Sequence, residues 1–349
     1  MFLPVIFGVS STELTDEERA FLTEHRPAGF ILFARNCKSS AQVQALTASL
    51  KQLAWLQPAP ILIDQEGGRV QRMRAPEWHN YSAAATLGAS YNHAPEAVLD
   101  LITAFNWLLA DELFTHGINV NCAPVLDLPQ EDADPIIGDR AFSNLIDPLI
   151  AMARAQVEGL GKAGVLPVIK HIPGHGRARV DSHLALPMVD TAIDDLRAHD
   201  FLPFEALSDA PLAMTAHILF SAIDRERPVT LSRYFINEVI RNEIGLDGVL
   251  MSDDLSMKAL GGEIGARAAD ALAAGCDLAL HCNGDLAEME KIALAVEPVS
   301  LANTPRLANL QKISLMQASK RLPVPEDEFD DRYRELTDRL AALTKHHSA

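Results

Sequence analysis

Apolar residues along the chain gather into short continuous runs, and most runs are followed by a segment with helical spacing. The runs are PVIFGV (4–9), GFILF (29–33), ILID (61–64), NVNCAPV (119–125), PVIKH (167–171), LAMTAH (212–217), GVLMSD (248–253) and LALHC (278–282). A half-exposed sheet would alternate apolar and polar positions, whereas continuous runs of this length suit parallel strands covered on both faces. Helix starts are legible between them. Thr15-Asp16-Glu17-Glu18 and Ser39-Ser40-Ala41-Gln42 each fit a capping box, a hydroxyl and a carboxylate or amide three residues apart that satisfy orphan backbone donors. Eight β-then-α units without an obvious linker predict one closed (β/α)8 barrel of the TIM type, not two doubly wound halves. Phe329, Tyr333, Leu336, Leu340 and Leu343 recur at steps of four and three. That spacing predicts an amphipathic helix over about 326–345 that packs on the barrel, so residues 1–349 form a single domain.

Composition agrees with a globular enzyme: 349 residues, 48% apolar and 22% charged. Thirty Lys and Arg against 47 Asp and Glu leave a net charge of −17. Such a chain repels nucleic acid and anionic membrane surfaces, so neither is an expected partner. The four cysteines form no CxxC pair, which argues against a disulfide frame or zinc ribbon and for a reducing compartment. MFLPVIFGV lacks a basic flank and runs into TELTDEER, so it does not read as a signal peptide, and no apolar run is long enough to span a bilayer. A cytoplasmic protein is the expectation.

In a barrel of this kind chemistry sits at the C-terminal ends of the strands. Six of the eight runs end in polar groups there: Asp64, Asp127, Lys170 with His171, His217, Asp253 with Asp254, and His281 with Asn283. Loops leave the core at strand ends, so any one of these can be an ordinary polar exit. As a set they suggest a site, because a buried carboxylate or ammonium costs several kcal/mol unless it is paired or used.

The segment KHIPGHGRARVDSH (170–183) concentrates three imidazoles. His171 and His175 have HxxxH spacing, but Pro173 and Gly174 break the helix that i,i+4 metal ligation would need. EGGRVQR lacks the Lys-Ser/Thr of a phosphate loop, so its glycines are expected to make tight turns instead. An aspartate beside an imidazole fixes its tautomer and favours its protonated form. Asp181 and His183 therefore read either as an acid/base pair or as a local loop hydrogen bond.

IDQEGGRVQR (63–72), IGDRAF (137–142), KHIPGHG (170–176), DSH (181–183) and MSDDLSM (251–257) resemble motifs of bacterial β-N-acetylglucosaminidases (β-N-acetylhexosaminidases) of glycoside hydrolase family 3, the single-domain cell-wall-recycling type. The resemblance implies a retaining exo-hydrolase that removes terminal non-reducing N-acetylglucosamine from peptidoglycan fragments. It implies Asp253 as nucleophile, His183 as general acid/base and Asp181 as its dyad partner. Asp64, Arg72, Arg140, Lys170 and His171 match positions that hold the sugar, and Asp254 is left as a helix N-cap or a support for the site. The expected partners are muropeptides or disaccharides containing N-acetylglucosamine, with no cofactor and no metal. One departure from the family pattern follows GHG, where an aspartate or small residue is expected and Arg177-Ala178-Arg179-Val180 stands. The cations of the sugar set would also offset the overall negative charge where an anionic aglycone arrives. Alternatives left by the sequence are a β-N-acetylglucosaminide phosphorylase, a metal hydrolase using His171, His175 and His183, and a sugar-binding barrel without activity.

Overall fold

The computed structural model describes residues 1–345, and in it the eight apolar runs are eight parallel strands. They are β1 (Leu3–Gly8), β2 (Pro27–Leu32), β3 (Ile61–Ile63), β4 (Val120–Asn121), β5 (Leu166–Ile172), β6 (Leu212–Thr215), β7 (Val249–Asp254) and β8 (Leu278–His281). Neighbours in sequence are neighbours in space, and β8 pairs with β1 to close a (β/α)8 barrel. Residues 346–349, the last of the expected domain, lie outside the described residues.

Alternation of side chains along a strand divides the apolar runs between two cores. Ile6, Leu62, Val168, Met214, Met251 and Leu280 belong to an inner cluster that fills the barrel. Their neighbours Phe7, Ile63, Ile169, Ala213, Leu250 and Ala279 belong to the outer cluster beneath the helices. The same parity carries past the last apolar positions. Two residues beyond Leu62, Val168 and Met251 come Asp64, Lys170 and Asp253, so all three project toward the barrel axis at its C-terminal mouth.

The helical layer consists of α1 (Asp16–His25), α2 (Ser40–Leu53), α3 (Pro95–Thr115), α4 (Ile146–Lys162), short turns over 193–206, a π-type helix Phe235–Glu243, α5 (Ile264–Ala274) and α6 (Leu286–Ala295). The Thr15–Glu18 capping box is complete, with N···O distances of 3.1 and 2.9 Å. The second expected box is only half formed. Ser39 Oγ accepts from Gln42 N, but Gln42 Oε1 accepts from Lys38 N, because the preceding turn brings that amide within reach instead.

Helix α7 (Pro305–Ser319) sets Leu307 and Leu310 into the inner cluster with Phe2 and Leu56, so apolar side chains plug the barrel opposite the mouth. Helix α8 (Glu326–Lys345) buries Leu336 and Leu340 and packs Phe329, Tyr333 and Leu343 against the outer core. Phe105 of α3 meets Tyr333 edge-on, and Tyr333 Oη donates to Asn80 O at 2.6 Å.

Candidate active site

Asp64, leaving β3, starts the polar part of the mouth. The chain then forms a hairpin, Gln65–Gly67 against Val70–Gln71, whose turn requires a positive φ of 56° at Gly68. Gln65 is buried inside this hairpin, and its amide oxygen accepts from the backbone of Arg72 and Met73. That brace returns Arg72 over its starting point, where Nη2 donates to Asp64 Oδ2 at 2.9 Å. The Arg72 guanidinium also lies 5.1 Å from the centre of the Phe33 ring.

Lys170, 2% exposed, donates to Asp64 Oδ1 at 2.8 Å and pairs with Glu66 Oε1 at 2.7 Å. Arg140, on the loop after β4, grips Glu66 with two bonds of 2.8 Å. The result is a ladder of alternating charge: Arg72, Asp64, Lys170, Glu66, Arg140. Burial alone would push both carboxyls up, but Lys170 and Arg72 hold Asp64 well below the usual range, while Arg140 and Lys170 bring Glu66 to about 2. Burial would likewise depress Lys170, and its two carboxylate partners outweigh it and raise it. Each Asp64 oxygen accepts from one cation, which leaves lone pairs for sugar hydroxyls.

Asp253 ends β7 half-buried, and its Oδ1 accepts from Asp254 N at 2.8 Å. Among the described residues no cation pairs with it within 4 Å. Burial opposes its charge, yet His171, His217, the Asp254 amide and Lys170 together keep its carboxyl below the ordinary value. Asp254 is differently employed: its carboxylate accepts from Ser256 N, Ser256 Oγ and Cys282 N. It stitches β7 to β8 and starts no helix.

The three imidazoles of residues 170–183 have separate partners. His171 Nδ1 meets Asp127 Oδ2 at 2.7 Å, a buried contact. His175 is buried, with its N–H on Asp127 Oδ1 at 2.6 Å and its Nε2 3.2 Å from Ser182 Oγ. His183 Nδ1 and N both lie 2.8 Å from Asp181 Oδ1. Burial and the adjacent His171 push His175 down to about 4, so it is neutral at pH 7. Burial is the largest single influence on Asp181 and opposes its charge, but the backbone and side-chain bonds from His183 together prevail and its carboxyl is lowered. Gly176 lets the loop pass over β4's exit, since a Cβ there would stand 1.9 Å from Leu128 O. Among the described residues no group of three or more His, Cys, Asp or Glu side chains is arranged to hold a metal ion.

Asp64, Arg72, Arg140, Lys170, His171, His183 and Asp253 line one open cavity of about 250 Å³ at the barrel mouth. A carboxylate, an imidazole and a set of fixed hydrogen-bonding groups thus converge on one space. The family model described as the glycosyl hydrolase family 3 N-terminal domain matches residues 5–314.

The chain belongs to glycosyl hydrolase family 3.

It is 42% identical to a beta-hexosaminidase of Alkalilimnicola ehrlichii over 80% of each chain. A beta-hexosaminidase of Aromatoleum aromaticum is 36% identical over 98% of this chain and 95% of that protein. The solved structure of NagZ from Neisseria gonorrhoeae in complex with N-trifluoroacetyl-D-glucosamine superposes with a TM-score of 0.83 at 30% identity, covering 98% of this chain and 97% of that one. As a family 3 member the protein is a glycoside hydrolase built on a TIM-type barrel.

Within this family 3 barrel, several strand-end groups read from the sequence stand elsewhere. His281 follows outward parity after Ala279, so it lies under the helices against Phe7 and bonds Glu288 at 2.9 Å. His217 is fully buried between Thr230 and the backbone carbonyl of Asp254. Sequence reasoning missed Glu66, although it stands two residues beyond Asp64 in the same motif, a spacing that parity could have exposed. Its presence also corrects the expected cationic excess: two carboxylates match most of the charge of Arg72, Lys170 and Arg140. Arg177 and Arg179, the departure after GHG, pair with Asp200 and Asp132.

Proposed function

We propose that the protein is a retaining exo-β-N-acetylglucosaminidase acting on peptidoglycan fragments in the cytoplasm. The observation that carries this reading is Asp253, a carboxylate free of ion pairs among the described residues, lining the same cavity as the Asp181-supported His183. The named relatives and the amino sugar bound by NagZ support the substrate class. All four cysteines are free, which suits a reducing compartment, and no helix of the described residues is long and apolar enough to cross a membrane. In this reading the whole chain, 1–349, works as one catalytic domain with α8 docked on it.

Asp253 attacks the anomeric carbon while protonated His183 donates its proton to the departing glycosidic oxygen. A covalent glycosyl–Asp253 ester and the free aglycone alcohol result. Neutral His183 then takes a proton from water, whose oxygen attacks the same carbon and releases Asp253 and the sugar. Retaining glycosidases ordinarily use a second carboxyl group for this proton traffic, about 5–5.5 Å from the first. Here an imidazole takes the part, and Asp181 orients it and stabilises its charged form. Asp64, Arg72, Lys170, Arg140 and His171 hold the sugar: Asp64 accepts from hydroxyls, and the cations either donate directly or keep Asp64 and Glu66 ionised and fixed.

Trapping with a fluorinated N-acetylglucosamine analogue, followed by peptide mapping, tests the assignment. The expected label is on Asp253; a label on Asp254, or no covalent adduct, overturns it. Turnover in phosphate buffer should give free sugar, and accumulation of sugar 1-phosphate would favour phosphorolysis instead.

A further inference from the structure

His175 stands in the middle of the motif without a place in that mechanism. It is buried, yet its Nδ1 has no hydrogen-bond partner, so the ring's polar contact is made through Nε2 alone. That contact is Ser182 Oγ at 3.2 Å. Ser182 is the residue between Asp181 and His183, and it is 3% exposed, whereas the side chain of His183 is 61% exposed. The loop therefore dips into the protein at one residue and emerges on either side of it. The Ser182 carbonyl accepts from Ala259 N at 3.2 Å, on the loop that follows Asp253. Ser182 is thus held from two directions, by the β5 loop through His175 and by the β7 loop through Ala259.

We infer that His175 and Ser182 form a latch that fixes the loop carrying Asp181 and His183 against the barrel, with His175 as a positioning residue for the proton donor. The inference rests on the acid/base reading of His183. The chain of contacts is continuous. Asp127 holds the His171 ring and the His175 amide; His175 holds Ser182; Ser182 sets the backbone from which Asp181 and His183 project. A neutral His175 adds no charge beside an imidazole that gains and loses a proton in each turnover. His175 and Ser182 both line the cavity, and in the latch the ring acts as a support, with its one polar contact spent on Ser182.

Removing the Ser182 hydroxyl should misplace the proton donor without touching Asp253 or the sugar contacts. Such misplacement costs most where protonation of the leaving group limits the rate. Ser182→Ala and His175→Ala are therefore compared with His183→Ala on an alkyl and a dinitrophenyl N-acetylglucosaminide, with Tm recorded for each. Ser182→Ala is expected to lower kcat/KM on the order of 10- to 100-fold for the alkyl glycoside and less than about threefold for the dinitrophenyl glycoside. In a His183→Ala background it should add no further loss. An equal loss on both substrates, no loss on either, or full additivity with His183→Ala overturns the latch. Should His183→Ala itself show no dependence on the leaving group, the acid/base reading falls and the latch with it. Should His183→Ala show that dependence and Ser182→Ala not, the latch alone falls. Ser182→Ala decides the case if His175→Ala fails to fold.

Discussion

Two histidine–aspartate pairs stand at the mouth of the barrel, joined by nearly the same hydrogen bonds in very different surroundings. In each, the aspartate accepts from the imidazole Nδ1 and from the backbone N–H of the same histidine. The His171–Asp127 pair spans 44 residues, joins the exits of β4 and β5, and is 8% and 0% exposed. The His183–Asp181 pair spans two residues on a loop and is 61% and 23% exposed. One motif therefore yields two kinds of tool. The buried pair has a fixed ring orientation and meets the outside only through the cavity that His171 lines, which suits holding a hydroxyl and stabilising the Asp253 carboxylate. The exposed pair can meet a leaving group in one step and water in the next, as a general acid/base must.

The largest effect should come from Asp253, the carboxylate that lines the cavity with both imidazoles. Asp253→Ala is expected to lower kcat/KM for an aryl glycoside about 10⁴-fold or more, since loss of the proposed nucleophile removes the covalent route altogether. A larger loss in Asp254→Ala than in Asp253→Ala would mean that the wrong carboxylate had been set against the two imidazoles. Next comes the proposed proton donor. His183→Ala should cost on the order of 10² to 10⁴-fold with a poor leaving group and little in the first step with a good one. His171→Ala should weaken both substrates alike if, as proposed, its ring holds the sugar and not the leaving group. If the leaving-group dependence appeared in His171→Ala and not in His183→Ala, the two pairs would exchange roles.

The contrast also marks how far the sequence could be read. All eight strands were legible because their apolar runs must serve an inner and an outer core together, and the helix over 326–345 was legible from its stripe. DSH was legible because Asp181 and His183 meet within two residues. Asp127 was visible as a strand end, but its bond to His171 joins the loop after β4 to the end of β5, and no local spacing encodes it. Parity with Asp64 could have exposed Glu66 as a residue, but not its partners, since Lys170 comes from β5 and Arg140 from the loop after β4. Where contacts are local, motif and geometry coincide. Where loops converge, only the fold supplies the partner.

The two pairs should also differ in what they contribute to stability. Burial resists the Asp127 charge, but His171, with help from His175, keeps its carboxyl below the ordinary value. A depressed carboxyl stabilises the fold above its unfolded pKa, about 3.9, and that contribution is lost as pH falls through the folded value. Asp127→Asn should cost about 3 kcal/mol at pH 7, the scale of breaking a buried pair, whereas Asp181→Asn should cost less than about 1 kcal/mol. Urea unfolding of both variants measures the difference. Equal costs would show that burial is not what distinguishes the pairs.

A third histidine extends the comparison away from the mouth and should give the smallest effect. His79 bonds Glu112 of α3 at 2.9 Å and Asp330 of α8 at 3.2 Å, with its ring against Phe329 and Tyr333. The hydrogen bond His79 donates to Glu112, against some opposition from burial and with the charges of both carboxylates, raises its pKa above the ordinary value. The sign is opposite to that of Asp127. A raised imidazole stabilises the fold fully below its unfolded pKa, about 6.5, and the contribution fades as pH rises through the folded value. His79→Gln should therefore cost more at pH 6 than at pH 9, by about 1 kcal/mol or less for a pair this exposed. Urea titrations of wild type and variant at the two pH values read this directly. A cost independent of pH would mean that ring packing, not charge, ties α8 to the barrel at this point.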